Sequence, residues 1–230
     1  MPEVLKLVQA VKKFRLASKR PVTQALAATP TRFAVENMPS NNYLVIPEVS
    51  SQKRAFIPFG FESPSTLCSN LVKIAAGATL YHFGILCSTM HNAWMRAVCG
   101  RMKSDFRYSA GIVYNNFPWP DLPEDTPQRP APAPVHKRRL AIAAAAQAVL
   151  DARAQFPDST LADLYDPLTM PVQLTKAHQQ LDKAVDAAYG YKAAPDDAAR
   201  VAFLFARYQA LTAATAPVAP AQPTRRRKAQ

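Results

Sequence analysis

Glycine is scarce in this 230-residue chain, which holds only Gly60, Gly77, Gly84, Gly100, Gly111 and Gly190. They stand too far apart for GxGxxG or GxxxxGK[ST], which excludes a Rossmann-type nucleotide turn and a phosphate-cradling loop. Cysteine is scarce too. Cys68, Cys87 and Cys99 are odd in number and lack CxxC spacing, which fits free thiols in a reducing compartment. No run of about 18 apolar residues occurs, and no signal-peptide core follows Met1. The expectation is a soluble, cytoplasmic protein with no membrane partner. Acidic residues are outnumbered, with 16 Asp plus Glu against 28 Lys plus Arg and a net charge of +12. Such a balance favours nucleic acid through counterion release, or an anionic surface.

Catalytic and metal signatures are missing as well. Asn115-Asn116-Phe117-Pro118 lacks the two prolines that an Asn-Pro-Pro-Tyr/Phe methyltransferase motif needs between asparagine and aromatic residue. Asp121, Glu124 and Asp125 could imitate a nuclease cluster, but no lysine follows at the right spacing and the stretch is rich in proline. No nucleophile-elbow context supports Ser-His-Asp chemistry. His82, Cys87, His91 and Cys99 lie within one stretch, yet structural zinc normally shows tighter paired spacing. No catalytic residue, cofactor site or metal site is therefore assigned to this chain.

What is present reads as α+β. Val4, Leu7, Val8, Val11 and Phe14 keep helical spacing, with Lys6, Lys12 and Lys13 off the stripe and Pro21 beyond it. Short β-type runs follow at Arg32–Val35, Tyr43–Ile46, Ala55–Ile57 and Leu71–Ile74, separated by proline and asparagine breaks. They predict a small, irregular mixed or antiparallel sheet. From Tyr81 to Cys99 the period is helical again, with Leu86, Met90, Ala93, Trp94, Ala97 and Val98 on one face and Gly100 as a stop. Seven prolines between Pro118 and Pro134 mark a stiff linker. Beyond it come helices at 135–155, a short turn at Thr160–Tyr165, a helix opened by Pro171 and closed by Gly190, and a last one capped by Asp196. The predicted organisation is a first domain at 1–120, a Pro-rich linker at 121–134, an all-α domain at 135–213 and a disordered basic tail at 214–230.

The densest chemistry lies in one stretch. Arg101, Lys103, Asp105 and Arg107 fall on every second position, so in a single extended strand all four would leave the same face. A mixed basic and acidic row suits a target offering both acceptors and donors, as the edge of a G·C pair does. A solvated strand with ordinary ion pairs would show the same pattern.

Tyr81-His82-Phe83-Gly84-Ile85-Leu86, then Met90-His91-Asn92-Ala93-Trp94-Met95-Arg96, then Cys99–Asp105 and Tyr114-Asn115-Asn116-Phe117-Pro118-Trp119-Pro120 resemble the target-recognition domain of MmeI-like enzymes. These are single-chain type II restriction–modification proteins and related adenine-specific DNA methyltransferases. Thr160–Pro171, Lys176-Ala177-His178 and the helix to Gly190 resemble the helical domain that ends them. The resemblance spans roughly residues 10–210. It implies a DNA-specificity module without the nuclease part, the S-adenosylmethionine site or the Asn-Pro-Pro motif, hence no methylation or cleavage by this chain alone. It implies double-stranded DNA as partner, and a methyltransferase domain or subunit of the same system as a second. The alternative is an interaction subunit docking on a separately encoded methyltransferase or nuclease. It also implies that Lys103 and Asp105 occupy a variable pair that helps choose one base pair, with Arg107 beside them. A lysine can donate to guanine O6 and N7 and an aspartate can accept from cytosine N4, each worth about 1–3 kcal/mol of discrimination. Lys53, Arg54, Arg96 and Arg101 are weaker candidates for phosphate contacts.

Overall fold

The computed structural model describes residues 1–36, 39–124, 126 and 129–215. Asp125, Gln128 and the basic run Arg225–Lys228 lie outside them, as does the expected tail from residue 216 on. The chain divides into two compact units, Met1–Asn41 with Ser63–Leu67, and Asn42–Glu62 with the chain from Cys68 onward.

The first unit holds helices α1 (Pro2–Leu16) and α2 (Pro21–Ala25) and a 3-10 turn at Leu26–Ala28. Both helices open on proline, whose missing N–H is no loss in a first turn. The Arg15 guanidinium, on α1, donates to the carbonyls of Leu26 and Thr29 at 2.8 Å and of Arg32 at 2.7 Å. Arg32 N–H is taken by the Thr29 carbonyl at 3.1 Å. The expected strand at Arg32–Val35 is consequently absent: backbone groups of Arg32 already have partners, and the chain turns there.

The second unit carries two three-stranded antiparallel sheets. β1 (Tyr43–Pro47), β3 (Gly60–Glu62) and β4 (Val72–Ala76) form one in the order β3-β1-β4. β2 (Val49–Ser50), β5 (Gly100–Met102) and β6 (Asp105–Arg107) form the other in the order β2-β6-β5. Glu48 joins them: its N–H donates to the Leu71 carbonyl at 3.0 Å and its carbonyl accepts from Tyr108 N–H at 2.7 Å. The runs at Tyr43–Ile46 and Leu71–Ile74 are thus β1 and most of β4. Ala55–Ile57 is not a strand. The Ala55 carbonyl accepts from the Arg96 guanidinium and Ile57 N–H donates to Asn92 Oδ1, so side chains replace the ladder.

The helix expected across Tyr81–Cys99 is two, α3 (Leu80–Cys87) and α4 (Thr89–Val98). Ser88 separates them in an extended conformation, and its Oγ accepts from His91 N–H as the cap of α4. A π-helical turn at Ala110–Tyr114 follows the second sheet, and then come α5 (Ala133–Ala154), α6 (Leu161–Leu164), α7 (Val172–Tyr189) and α8 (Asp197–Thr215). Pro171 precedes α7 as its cap instead of occupying its first turn. Leu174, Leu181, Val185 and Ala188 of α7 are buried, and the helix stops at Gly190, whose φ of 66° suits glycine. Asp196 caps α8 through Ala199 N–H at 2.9 Å.

The segments on either side of the Pro-rich stretch share one hydrophobic core. A methyl group on Gly84 of α3 would lie 2.8 Å from Ile142 and 3.1 Å from Ala146 on α5, and 3.2 Å from Leu181 on α7. Only glycine allows that approach. Polar ties cross the same seam. Asp182 of α7 accepts both the N–H and the hydroxyl of Thr89, and Arg207 of α8 donates to the Trp119 carbonyl. The buried Arg153 of α5 donates to the Phe59 carbonyl at 2.7 Å and to the Tyr165 hydroxyl at 2.9 Å. Tyr165 in turn donates to His178 Nε2 at 2.7 Å.

Candidate nucleic-acid interface

The charged row is a hairpin, not one strand. Gly100 pairs with Arg107, Arg101 with Phe106 and Met102 with Asp105, leaving Lys103 and Ser104 as a two-residue turn. Residues opposite each other share a face, so Asp105 and Arg107 leave one face and Arg101 the other. The single four-charge face is therefore a mistaken expectation, because a turn inside the run reverses the chain. Arg101 stacks on the Phe106 ring at 4.1 Å and donates to the Ser104 carbonyl at 3.1 Å.

Lys103 sits at φ 57°, and it is the described non-glycine residue with positive φ. A positive φ at the first turn position is the pattern of a type II′ hairpin, where glycine is usual. The hairpin therefore holds a strained lysine at its tip, exposed and without an ion pair among the described residues. Asp105 is oriented by Gln52, whose N–H donates to Oδ1 at 3.2 Å. That bond exists because β2 pairs with β6, which brings the following loop, with exposed Lys53 and half-buried Arg54, beside the hairpin tip.

Arg107 is already engaged. Its Nε and Nη2 donate to Glu48 Oε1 at 3.0 and 2.9 Å, while Lys73 of β4 meets the other oxygen at 3.2 Å. Hydrogen bonds from Arg107 and then Lys73 hold the Glu48 carboxyl below the usual carboxylate range. A cleft of about 270 Å³ lined by Glu48, Lys73, Arg107 and Tyr108 lies alongside. Glu48 was invisible to sequence reasoning. Its position between two strands became meaningful only when the two sheets met there.

The root of the hairpin is fixed from the core. Tyr108, directly after β6, donates to His91 Nε2 at 3.1 Å, and His91 Nδ1 donates to the Leu86 carbonyl at 3.0 Å. Burial pushes the His91 pKa down to about 3, so the ring is neutral, as this bonding pattern requires. The rest of Met90–Arg96 is similarly occupied. Trp94 donates to the Val113 carbonyl at 3.0 Å. Arg96, a candidate phosphate contact, instead pairs with Asp197 at 2.8 Å and caps the carbonyls of Arg54 and Ala55. Its guanidinium is consumed inside the fold. In Asn115–Trp119, Asn116 caps the carbonyls of Gly111 and Ile112, and the Pro118 carbonyl accepts from Tyr189. This run closes the fold.

The histidines and cysteines do not assemble. His82 Nδ1 serves the capping box of α3 with Thr79, and desolvation raises the Cys87 thiol to about 12. Among the described residues no three His, Cys, Asp or Glu side chains could hold a metal ion, and no helix is long and apolar enough to cross a membrane.

Residues 1–121 match the family described as MmeI, target recognition domain, and residues 135–216 match MmeI, C-terminal domain. DNA methyltransferase A of Bacillus subtilis (strain 168) is 38% identical over 211 residues, which is 92% of this chain and 22% of that protein. A solved structure of the type IIL restriction-modification enzyme MmeI in complex with DNA matches with a TM-score of 0.80 and 46% identity, over 93% of this chain and 27% of that one. The chain thus spans about a quarter of the length of these relatives. With residues 1–121 and 135–216 matched, the chain belongs to the MmeI family and carries its target recognition and C-terminal domains.

Proposed function

We propose that this chain is a sequence-reading module for double-stranded DNA, acting with a methyltransferase portion that supplies S-adenosylmethionine binding and chemistry. The observation that carries the reading is the hairpin tip, where a strained, exposed Lys103 stands beside an Asp105 carboxylate oriented by Gln52 N–H. An oriented acceptor beside a mobile donor suits the two halves of one G·C pair. Arg107 joins in by exchanging Glu48 for a base or phosphate acceptor. Lys53 and Arg101 contribute at most to phosphate contacts, which position without specifying. The similar MmeI structure is a complex with DNA, which supports the choice of partner. Three free cysteines fit a reducing compartment, and the cytoplasm is the proposed location.

The test exchanges Lys103 and Asp105 together and measures binding to a panel of duplexes at two salt concentrations. The expected result is a changed base preference at one position, about 1–3 kcal/mol in discrimination, with the thermal midpoint and salt dependence retained. An unchanged preference removes the assignment of this pair.

A further inference from the structure

Among the described residues, exposed apolar side chains are concentrated on the first unit. In α1, Val4, Leu7, Val11 and Phe14 are 53, 68, 39 and 77% exposed, and no residue of this helix is buried. Their spacing of three, four and three residues sets them in one row along the helix, with the exposed Leu5 and Leu16 to one side of it. The helix is held in place without using that row. Arg15 caps three carbonyls of the following turn, and Val8, off to one side, is the half-buried apolar residue of α1. A prearranged row at such spacing is the anchor pattern of a helix that lies in an apolar groove.

We propose that this row docks into an apolar groove, rimmed with carboxylates, on the catalytic portion of a DNA methyltransferase. This rests on the reading of the chain as a module of such an enzyme. Two observations choose the occupant. DNA methyltransferase A is matched over only 22% of its length, and the matching chain has no glycine-rich cofactor loop, so methyl-transfer chemistry belongs to the remaining part. Charge excludes a second copy: residues 1–36 hold Lys6, Lys12, Lys13, Arg15, Lys19, Arg20 and Arg32 against Glu3 and Glu36. Two such surfaces repel each other, whereas an acidic rim attracts them.

The test uses the full chain and, as probe, the part of DNA methyltransferase A outside the matched 211 residues, in a preparation first shown to bind S-adenosylmethionine. Titration calorimetry is expected to show a complex that weakens with salt. Leu7→Glu with Phe14→Glu is expected to lower its affinity at least about tenfold, with helix content unchanged because both side chains are exposed. Lys12→Glu with Lys13→Glu is expected to weaken it and to flatten the salt dependence. Absence of a complex with the wild-type chain, or equal affinity of the Leu7/Phe14 variant, overturns the proposal. So does light scattering that shows a dimer dependent on this row, or sedimentation with phosphatidylglycerol vesicles that depends on it. DNA binding by the same preparations is measured in parallel. Its loss with docking retained counts against the hairpin reading alone.

Discussion

The helical seam and the β5–β6 hairpin use their cations in opposite ways. In the seam the basic residues are arginines turned inward. Arg153 bonds a carbonyl and a phenol, Arg200 makes a bidentate pair with Asp186, and Arg207 holds the Trp119 carbonyl. At the hairpin tip the cation is a lysine, exposed, without an ion pair among the described residues and held at a strained φ. The planar fork of arginine satisfies several buried acceptors at once, and a lysine ammonium is a mobile point charge. The net charge of +12 therefore overstates what is available to a polyanion. The share that matters is concentrated where the fold leaves donors unspent.

This contrast can be broken first by acid. His91 and His178 are buried and neutral, each with its pKa pushed down to about 3, chiefly by desolvation. Below pH ~6.5 the unfolded chain takes up protons that the folded chain refuses until about pH 3. Stability from both rings is thus complete above that unfolded value and falls as pH drops, by about 1.4 kcal/mol per pH unit for each histidine. Denaturant titrations between pH 7 and 5 should show that loss, and His178→Gln should roughly halve the slope. A flat profile would mean that these rings are protonated in the fold, and the account of the seam would fail.

Arg153→Met tests the seam directly. It leaves the Phe59 carbonyl and the Tyr165 hydroxyl without their donor, at a cost of about 1–3 kcal/mol for each group. The measure is the urea midpoint, and Lys103→Met serves as the contrast, with an expected change within about 0.5 kcal/mol. Equal losses in the two variants would erase the distinction between the regions. The smallest effect sharpens it. Lys103→Gly relieves the positive φ and should stabilise the chain by about 1 kcal/mol while removing base preference in the duplex panel. A substitution that gains stability and loses recognition would mark strain kept for function.

Several features were legible in residue order because they depend on local chemistry. The apolar period of α7, its stop at Gly190 and the Asp196 cap need only a few neighbouring residues. The alternating row from Arg101 to Arg107 was legible as chemistry but not as shape. Nothing local announces a reversal at Lys103-Ser104, where neither residue is the glycine or asparagine that such a turn favours. The break at Ser88 escaped for a related reason, since serine is tolerated within helices and its capping role shows only in the Oγ bond to His91 N–H. Arg96 looked like a surface cation because the Arg54 and Ala55 carbonyls and Asp197, which claim it, are far away in sequence.

Sequence alone determined the α+β character and the blocks that resemble the family, which follow from period and continuous motifs. The pair Lys103 and Asp105 was nominated by that resemblance. Tertiary structure alone decided which cations are free. It placed Glu48 between two sheets where it takes both Arg107 and Lys73, and it set Gln52 against Asp105. It also packed α3 onto α5 and α7 through Gly84. The physical reason is common to all of these. A polar group's partner is chosen by proximity in space, and in this fold those partners lie tens of residues away along the chain.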